Sequence, residues 1–543
     1  MNKYILSVIC YVLLFCNRTI LAETKYDIWL ENSMQRVLPI APVRKTELTA
    51  RLFLAGREYE SVQIAFRVKG KEKLKGVSLL LSDLVCSETD TTIKKGNLKW
   101  YRIGYVHITQ PASGFSGAVN LPTGWYPEIL LPAKKFDVNC DFTQLVWLTL
   151  FVPPNTRAGE YSGQVTVQAE NAKTVKIDIE ATVFNFELAP GAGHLKTAFS
   201  FEQGQFERLY GKDPVMYEKF MDYIIDVCRL NPFDIARYNP PTPQQVQSYI
   251  DRGMNSYCLA YIKPDTTRQW PYGPSIETAS KHLDDIKEAL EQLREKDLHK
   301  MGYFLIADEI PVKKLNAEMR GIFNYVKGRE PDIKMMTTAH IKQTVEDIKS
   351  FGLDGLCPIW SWTDYERAQD LRQQGLEVWT YISLMPYKPY ANFRLDCPLV
   401  EARELFWQVF HQQFDGFLYW GLNQWSRVGN NALIDLEKTD HMVDWNITTG
   451  GTYSWLHGDG TLLYPSNSGP IGGIRLMNIR DGLEDYEYLW QLSDLAGNIE
   501  CGRNAALMVT KGLDDITRDP RKVYSQRLKI ARAIEVLSNL KSK

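Results

Sequence analysis

Met301-Gly302-Tyr303-Phe304-Leu305-Ile306-Ala307-Asp308-Glu309-Ile310-Pro311 is the stretch around which the rest of the chain falls into order. Tyr303 to Ala307 form an unbroken apolar and aromatic run, which reads as a buried strand. The run stops at two adjacent carboxylates, and Pro311 bars the strand from continuing and biases Ile310 toward an extended conformation. A core strand that ends in two acids presents them where a cleft can form. Two acids acting together are the usual equipment for breaking a glycosidic bond. An isolated Asp-Glu is more often solvated surface charge, so its surroundings decide the matter.

On both sides of this stretch, strands alternate with helical patterns. Eight candidate strands follow one another: Leu195-Phe201, Phe233-Tyr238, Ser256-Ile262, Gly302-Ala307, Lys334-Thr338, Gly355-Trp360, Glu377-Ile382 and Gly416-Trp420. Glu277 to Asp297 is the clearest intervening helix, with Leu283, Ile286, Leu290 and Leu293 on one face. Pro214-Leu230, Pro243-Asp251, Val312-Lys327, Thr344-Phe351, Thr363-Gln374 and Val400-Gln413 are expected to be helical as well. Eight such units in sequence predict a (β/α)8 barrel spanning residues 191–474, with function at the C-terminal ends of the strands.

Those ends are rich in rings, amides and ionisable groups. Strand one leads to Glu202, strand two ends at Tyr238, strand four at Asp308 and Glu309, and strand five runs to His340. Strand six ends at Trp360, strand seven carries Tyr381, and strand eight leads to Trp420, Asn423, Gln424 and Trp425. Rings stack on the apolar faces of sugars, and amides and acids bind hydroxyls. The expectation is a carbohydrate cleft with Asp308 and Glu309 catalytic. Tyr238, His340, Trp360, Tyr381, Trp420, Asn423 and Trp425 are the substrate-binding candidates.

Before the barrel, residues 23–190 read as a β-sandwich, with short alternating runs such as Ser61-Val68, Val146-Val152 and Gly163-Gln168 separated by turn clusters. Gly104 to Pro127 is expected to be a long loop carrying Phe115, Trp125 and Tyr126, and Ala189-Gly193 the domain boundary. After the barrel strands, the Gly-rich residues 443–474 read as a loop over the mouth with His457 exposed. Residues 475–543 read as a helical segment packed on the barrel, with Asp481 placed to cap a helix and Glu484 three residues on. Arg475 and Arg480 are expected to pair with the acids of that helix.

Composition excludes several classes. The chain has 543 residues, 44% apolar and 24% charged, with a net charge of -2, which gives no sign of a nucleic-acid partner. Aromatic content is 12%, more than a core usually needs. Residues 1–22 resemble a secretory signal, with Lys3 at the start and a short apolar run from Tyr4 to Cys16. The expected location is therefore secreted, periplasmic or cell-surface in a bacterium, and no later segment reads as transmembrane. The seven remaining cysteines are scattered and odd in number, which argues against a disulfide framework. No His-Glu-x-x-His, metal-ligand spacing or Gly-x-Ser-x-Gly occurs, so neither metal nor cofactor is expected.

The Asp308-Glu309 pair on the fourth strand and the run Arg480-Asp481-Gly482-Leu483-Glu484-Asp485-Tyr486-Glu487-Tyr488-Leu489 together resemble glycoside hydrolase family 123 and the related secreted bacterial barrel proteins that share its C-terminal region. The resemblance spans nearly the whole mature chain. It implies an exo-acting β-N-acetylgalactosaminidase that uses substrate-assisted catalysis on a glycan with a terminal β-linked amino sugar. Glu309 would be the general acid/base, and Asp308 would orient the 2-acetamido group whose carbonyl oxygen attacks the anomeric carbon. Two positions depart from the family pattern: Ile310 stands where Pro often follows the pair, and Gly473 where Ser commonly precedes Ile-Arg. Two other classes remain open. One is a glycosidase on non-acetamido sugars that pairs Glu202 with Glu309, and the other is a glycan-binding barrel without catalysis.

Overall fold

The computed structural model describes residues 25–112, 122–234, 237–262, 265, 273–309, 317–338, 345–362, 365–425, 432–443, 445, 448–449 and 456–541. The expected signal segment, Phe115 and His340 lie outside the described residues.

The N-terminal region consists of two β-sheets. One orders Lys25–Asn32, Glu58–Lys69, Thr143–Val152 and Leu98–Ile108, with Gly124–Leu131 also paired to Leu98–Ile108. The other orders Thr49–Gly56, Ala172–Glu187, Gly159–Ala169 and Leu74–Leu81. Successive residues of a strand face opposite ways, and the first sheet uses both faces. Ile64, Phe66, Val146 and Leu148 pack with Leu52, Leu54, Val165 and Ile177 of the second sheet. Ala65, Leu145 and Trp147 join the apolar mass that continues into the C-terminal region. That double burial explains why Thr143–Val152 is almost continuously apolar. The loop expected over Gly104 to Pro127 is much shorter, because Leu98–Ile108 and Gly124–Leu131 pair as a hairpin through Tyr105, Tyr126 and Trp125. The apolar residues on both arms outweigh the interspersed Gly and Pro.

All eight expected barrel strands are present and parallel. Their spatial order is Pro232–Phe233, Lys196–Ser200, Gly416–Tyr419, Glu377–Ile382, Gly355–Leu356, Lys334–Thr337, Gly302–Ile306 and Tyr257–Ile262. Among the described residues no ladder joins the two ends of this order, so the sheet is a near-barrel with one seam. Ala198, Tyr303, Leu305, Met336, Trp379, Tyr381 and Leu418 fill its interior. Phe304, Ile306 and Val378 face outward into the layer of helices. Helices occupy Pro214–Asp222, Pro243–Ile250, Ile276–Arg294, Ala317–Arg329, Val345–Ser350, Tyr365–Gln373 and Glu401–His411. Thr242 and Ser275 cap two of them through their hydroxyls, with a reciprocal bond from the third helical residue.

The helix Ile474–Ala496 is not the one expected. It starts seven residues before Asp481, behind Gly473, so Asp481 caps nothing. Every residue from Ile474 to Leu489 is buried. The helix lies between the N-terminal sheets, the helix Glu401–His411 and the terminal helix Pro520–Lys541, and so it meets solvent on no side along this stretch. Its charges are neutralised by distant partners. Arg475 reaches Glu128 of the N-terminal hairpin at 2.9 Å rather than an acid of its own helix. Arg480 does pair within the helix, with Asp481 at 2.8 Å. His457, expected to be exposed, is fully buried. Five of the seven cysteines are buried, and none of the seven is in a disulfide. No described helix is long and apolar enough to cross a membrane.

Candidate active site

The strand Gly302–Ile306 delivers its two acids through a break in the backbone. Alternation would send Asp308 and Glu309 to opposite faces. Ala307 and Glu309 instead adopt left-handed conformations, with φ of +60° and +46°. Such conformations cost side-chain-bearing residues on the order of 1–3 kcal/mol and persist where the surroundings enforce them. Thr338, at the end of the neighbouring strand, does the enforcing. Its hydroxyl donates to Asp308 Oδ1 at 2.6 Å, and its oxygen accepts the Glu309 N–H at 3.0 Å.

Both acids line one cavity of about 240 Å³, together with Glu202, Leu305, Thr338, Tyr381, Ser383, Leu384, Leu418, Trp420 and Asp459. The Tyr381 hydroxyl donates to Glu309 Oε1 at 2.6 Å. Burial first, and then the Glu309 and Asp308 carboxylates, push the Tyr381 phenol far above its ordinary range, so it remains a donor at any physiological pH. Burial, and then the Asp308 charge, raise the Tyr261 phenol as well. Removing the partner of a buried polar group costs roughly 1–3 kcal/mol. Tyr381→Phe is therefore expected to lower kcat/KM about 10- to 100-fold, with the melting temperature nearly unchanged. Steady-state kinetics beside a thermal melt would check this, and unchanged kinetics would show that the contact is idle.

A second wall of the cavity is built by the exit of strand eight and the segment 456–463. Asn423 fixes the backbone at Glu202 from both sides: its carbonyl oxygen accepts the Glu202 N–H at 2.9 Å, and its amide donates to the Glu202 carbonyl at 3.0 Å. Gln424 donates through Nε2 to the Glu202 carboxylate. Trp420 Nε1 donates to Asp459 Oδ1 at 3.0 Å, and Tyr419 donates to the same oxygen at 3.3 Å. Asp459 sits between Gly458 and Gly460, at φ +76° and +74°. A Cβ on Gly460 would meet the Trp420 ring at 2.5 Å, so only glycine permits this approach. Arg475 clamps the same segment from below, donating to the Gly458 carbonyl at 2.8 Å and the Thr461 carbonyl at 2.6 Å.

Of the candidates read from the sequence, Asp308, Glu309, Tyr381 and Trp420 meet in this cavity, and Glu202 joins them. Asn423 stands directly behind it, holding Glu202. Trp425 is fully buried among Phe201, Phe220 and Tyr210, with its N–H on the Leu463 carbonyl at 2.8 Å. Trp360 is buried against Phe414, with its N–H on the Leu513 carbonyl at 3.2 Å. Tyr238 stacks on His282 and donates to Asp285 at 2.5 Å. None of these three lines the cavity. Thr338, Ser383 and Asp459 are polar lining residues that are not among the sequence candidates, and Asp459 is the acid of the three. Its one local mark is the Gly-Asp-Gly run, forty residues beyond the strand Gly416–Tyr419 and without periodic context. Among the described residues no group of His, Cys, Asp and Glu side chains is arranged to hold a metal.

Two family models match the chain: "Glycoside hydrolase 123, catalytic domain" over residues 251–492 and "Glycoside hydrolase 123 N-terminal domain" over residues 42–169. No curated protein sequence matches. Among solved structures, a family 123 glycoside hydrolase from Clostridium perfringens, described for glycolipid glycan hydrolysis, superposes with a TM-score of 0.70. It is 14% identical, over 95% of this chain and 98% of that one. An FMN-binding β-glucuronidase from Facaelibacterium prausnitzii is 10% identical over 79% of this chain and 59% of its own, with a TM-score of 0.31. A xyloglucanase from Bacteroides ovatus is 10% identical over 84% of this chain and 100% of its own, with a TM-score of 0.28. Neither of the latter two carries an inference.

Proposed function

The chain belongs to glycoside hydrolase family 123, and from that membership and the cavity we propose an exported β-N-acetylgalactosaminidase that acts on the terminal sugar of a glycan with retention of configuration. We read its near-barrel as the (β/α)8 form and its N-terminal sheets as a sandwich. The observation that carries the mechanism is the emergence of Asp308 and Glu309 from one strand end into one cavity. Two acids on the same side of a substrate suit a proton donor and a helper. They do not suit a proton donor and a protein nucleophile, which must flank the ring from opposite sides.

In this reading Glu309, carrying its proton, donates it to the glycosidic oxygen as the bond to C1 breaks. The acetamido carbonyl oxygen of the substrate forms the new bond to C1. Asp308, held by Thr338, accepts the acetamido N–H and steadies the positive charge that develops on the closing ring. Water then attacks C1, the bond from C1 to the acetamido oxygen breaks to restore the acetamide, and the water gives its proton to Glu309, which restores the enzyme. Tyr381 keeps the Glu309 carboxyl turned into the cavity.

A second reading has one specific support: Glu202 lines the same cavity and is held rigidly, as a protein nucleophile would be. Assay of an aryl β-N-acetylgalactosaminide beside the corresponding 2-hydroxyl galactoside separates the two. Turnover of only the acetamido sugar, abolished by Asp308→Asn and tolerant of Glu202→Gln, is the expected result. Turnover of the 2-hydroxyl sugar that depends on Glu202 would overturn substrate assistance.

A further inference from the structure

We infer that Asp459 reads the hydroxyl at C4 of the terminal sugar and thereby sets which sugars this site accepts; the inference rests on the proposed chemistry at Asp308 and Glu309. The strand order supplies the geometry. In the eight-stranded sheet, Gly416–Tyr419 and Gly302–Ile306 stand four places apart, which puts them on opposite sides of the mouth. The wall carrying Trp420 and Asp459 therefore faces the wall carrying the two acids. C1 and C4 are opposite corners of a pyranose ring. A ring whose C1 and C2 meet Glu309 and Asp308 turns its C4 edge toward Trp420 and Asp459.

The far wall is built to read that edge. Asp459 is buried, only 2% exposed, yet it lines the cavity. The Trp420 indole and the Tyr419 phenol both donate to its Oδ1, which fixes the plane of the carboxylate. Trp420 is held in turn by this bond and by the close approach of Gly460. Backbone bonds make the wall one rigid piece: the Gly460 N–H donates to the Tyr419 hydroxyl at 2.9 Å, and the Gln424 N–H to the Gly460 carbonyl at 3.0 Å. A rigid carboxylate beside a ring platform accepts a hydroxyl hydrogen in one geometry only. A site built to bind a hydroxyl rejects an analogue that lacks it far more strongly than an apolar wall rejects a mismatch.

The test compares kcat/KM on an aryl β-N-acetylgalactosaminide, its C4 epimer and its 4-deoxy analogue, for the full chain and for Asp459→Asn and Asp459→Ala. The wild type is expected to prefer the 4-hydroxyl substrate over the 4-deoxy one by about 10- to 100-fold. Asp459→Ala should bring that ratio to within about threefold of one, with Asp459→Asn between the two and the preference between C4 epimers reduced in parallel. Because the readout is a ratio, a general loss of stability does not mimic it, and the near-isosteric Asn variant supplies the same ratio should the Ala variant fold poorly. An unchanged ratio in both variants would overturn the assignment while leaving the proposed hydrolysis standing. A wild type that turns over none of the three sugars would overturn both.

Discussion

Glu309→Gln is expected to reduce kcat/KM on a glycan substrate by about 10²- to 10⁴-fold, the usual contribution of a positioned general acid. The amide is nearly isosteric and still accepts the Tyr381 hydrogen bond, so the fold and the cavity should be retained. What disappears is the proton that the departing glycosidic oxygen needs. The loss should therefore depend on the leaving group. A natural sugar aglycone, a poor leaving group, should suffer the full effect, whereas an activated aryl aglycone needs less protonation and should suffer less in the first step. The limb of the pH–rate profile that reports the acid should vanish in the variant. Measuring kcat/KM across a series of aryl leaving groups, together with the pH profile, tests all of this. A loss below about tenfold on the natural aglycone would remove Glu309 from the role of general acid.

The second large effect lies far from the cavity. Arg403→Met is expected to destabilise the folded chain by about 3–5 kcal/mol, the usual cost of removing one partner from a buried ion pair. Arg403 donates to Asp485 through Nε at 2.7 Å and Nη2 at 2.9 Å, and its guanidinium also lies 3.3 Å from Glu60 and 3.7 Å from Asp481. Arg527 pairs with Glu58, Tyr488 donates to Glu58 at 2.6 Å, and Trp407 donates to Asp485 at 2.9 Å. Burial pushes Glu484 up to about 8, against the pull of Arg480 and Arg229. Arg229, Arg403, Arg480 and Arg527 are packed there among Glu58, Glu60, Asp481, Glu484 and Asp485, and Arg403→Met strands the acids that Arg403 holds. Adding Asp485→Asn to Arg403→Met should recover part of the loss, because it removes one stranded charge. Denaturant unfolding of the two variants beside the parent checks the expectation. A loss under about 1 kcal/mol would mean that the cluster is solvated rather than buried. The cluster draws on Glu58–Lys69, Glu401–His411, Ile474–Ala496 and Pro520–Lys541, so its loss should loosen the N-terminal sheets from the near-barrel.

The same cluster explains the run Arg480 to Leu489. Its acids and arginines do not touch the cavity. They let a helix that is buried all round carry charge, and they fix its position against three other elements. Arg475, at the start of that helix, links the cluster's helix to the site through the carbonyls on either side of Asp459.

Much of this molecule was legible before any coordinates. Apolar runs of strand length located all eight parallel strands, because such a run has few other solutions once helical patterns stand between its repeats. The end of the run at Asp308 and Glu309 located the acids, and placement at a strand end found Tyr381 and Trp420. Tertiary structure alone decided the rest. Trp360, Trp420 and Trp425 look alike in sequence, yet one lines the cavity and two are core, since the direction a ring takes is set by the residues it meets. Asp481 reads locally as a helix cap and is instead a buried charge, because a helix covered on every side carries no amphipathic period to mark its start. Asp459 lies forty residues past the strand Gly416–Tyr419, and a carbonyl clamp from Arg475 and a tryptophan N–H hold its segment at the cavity. Local sequence fixes backbone preference and periodicity; which side chains converge depends on contacts between residues that the chain itself keeps far apart.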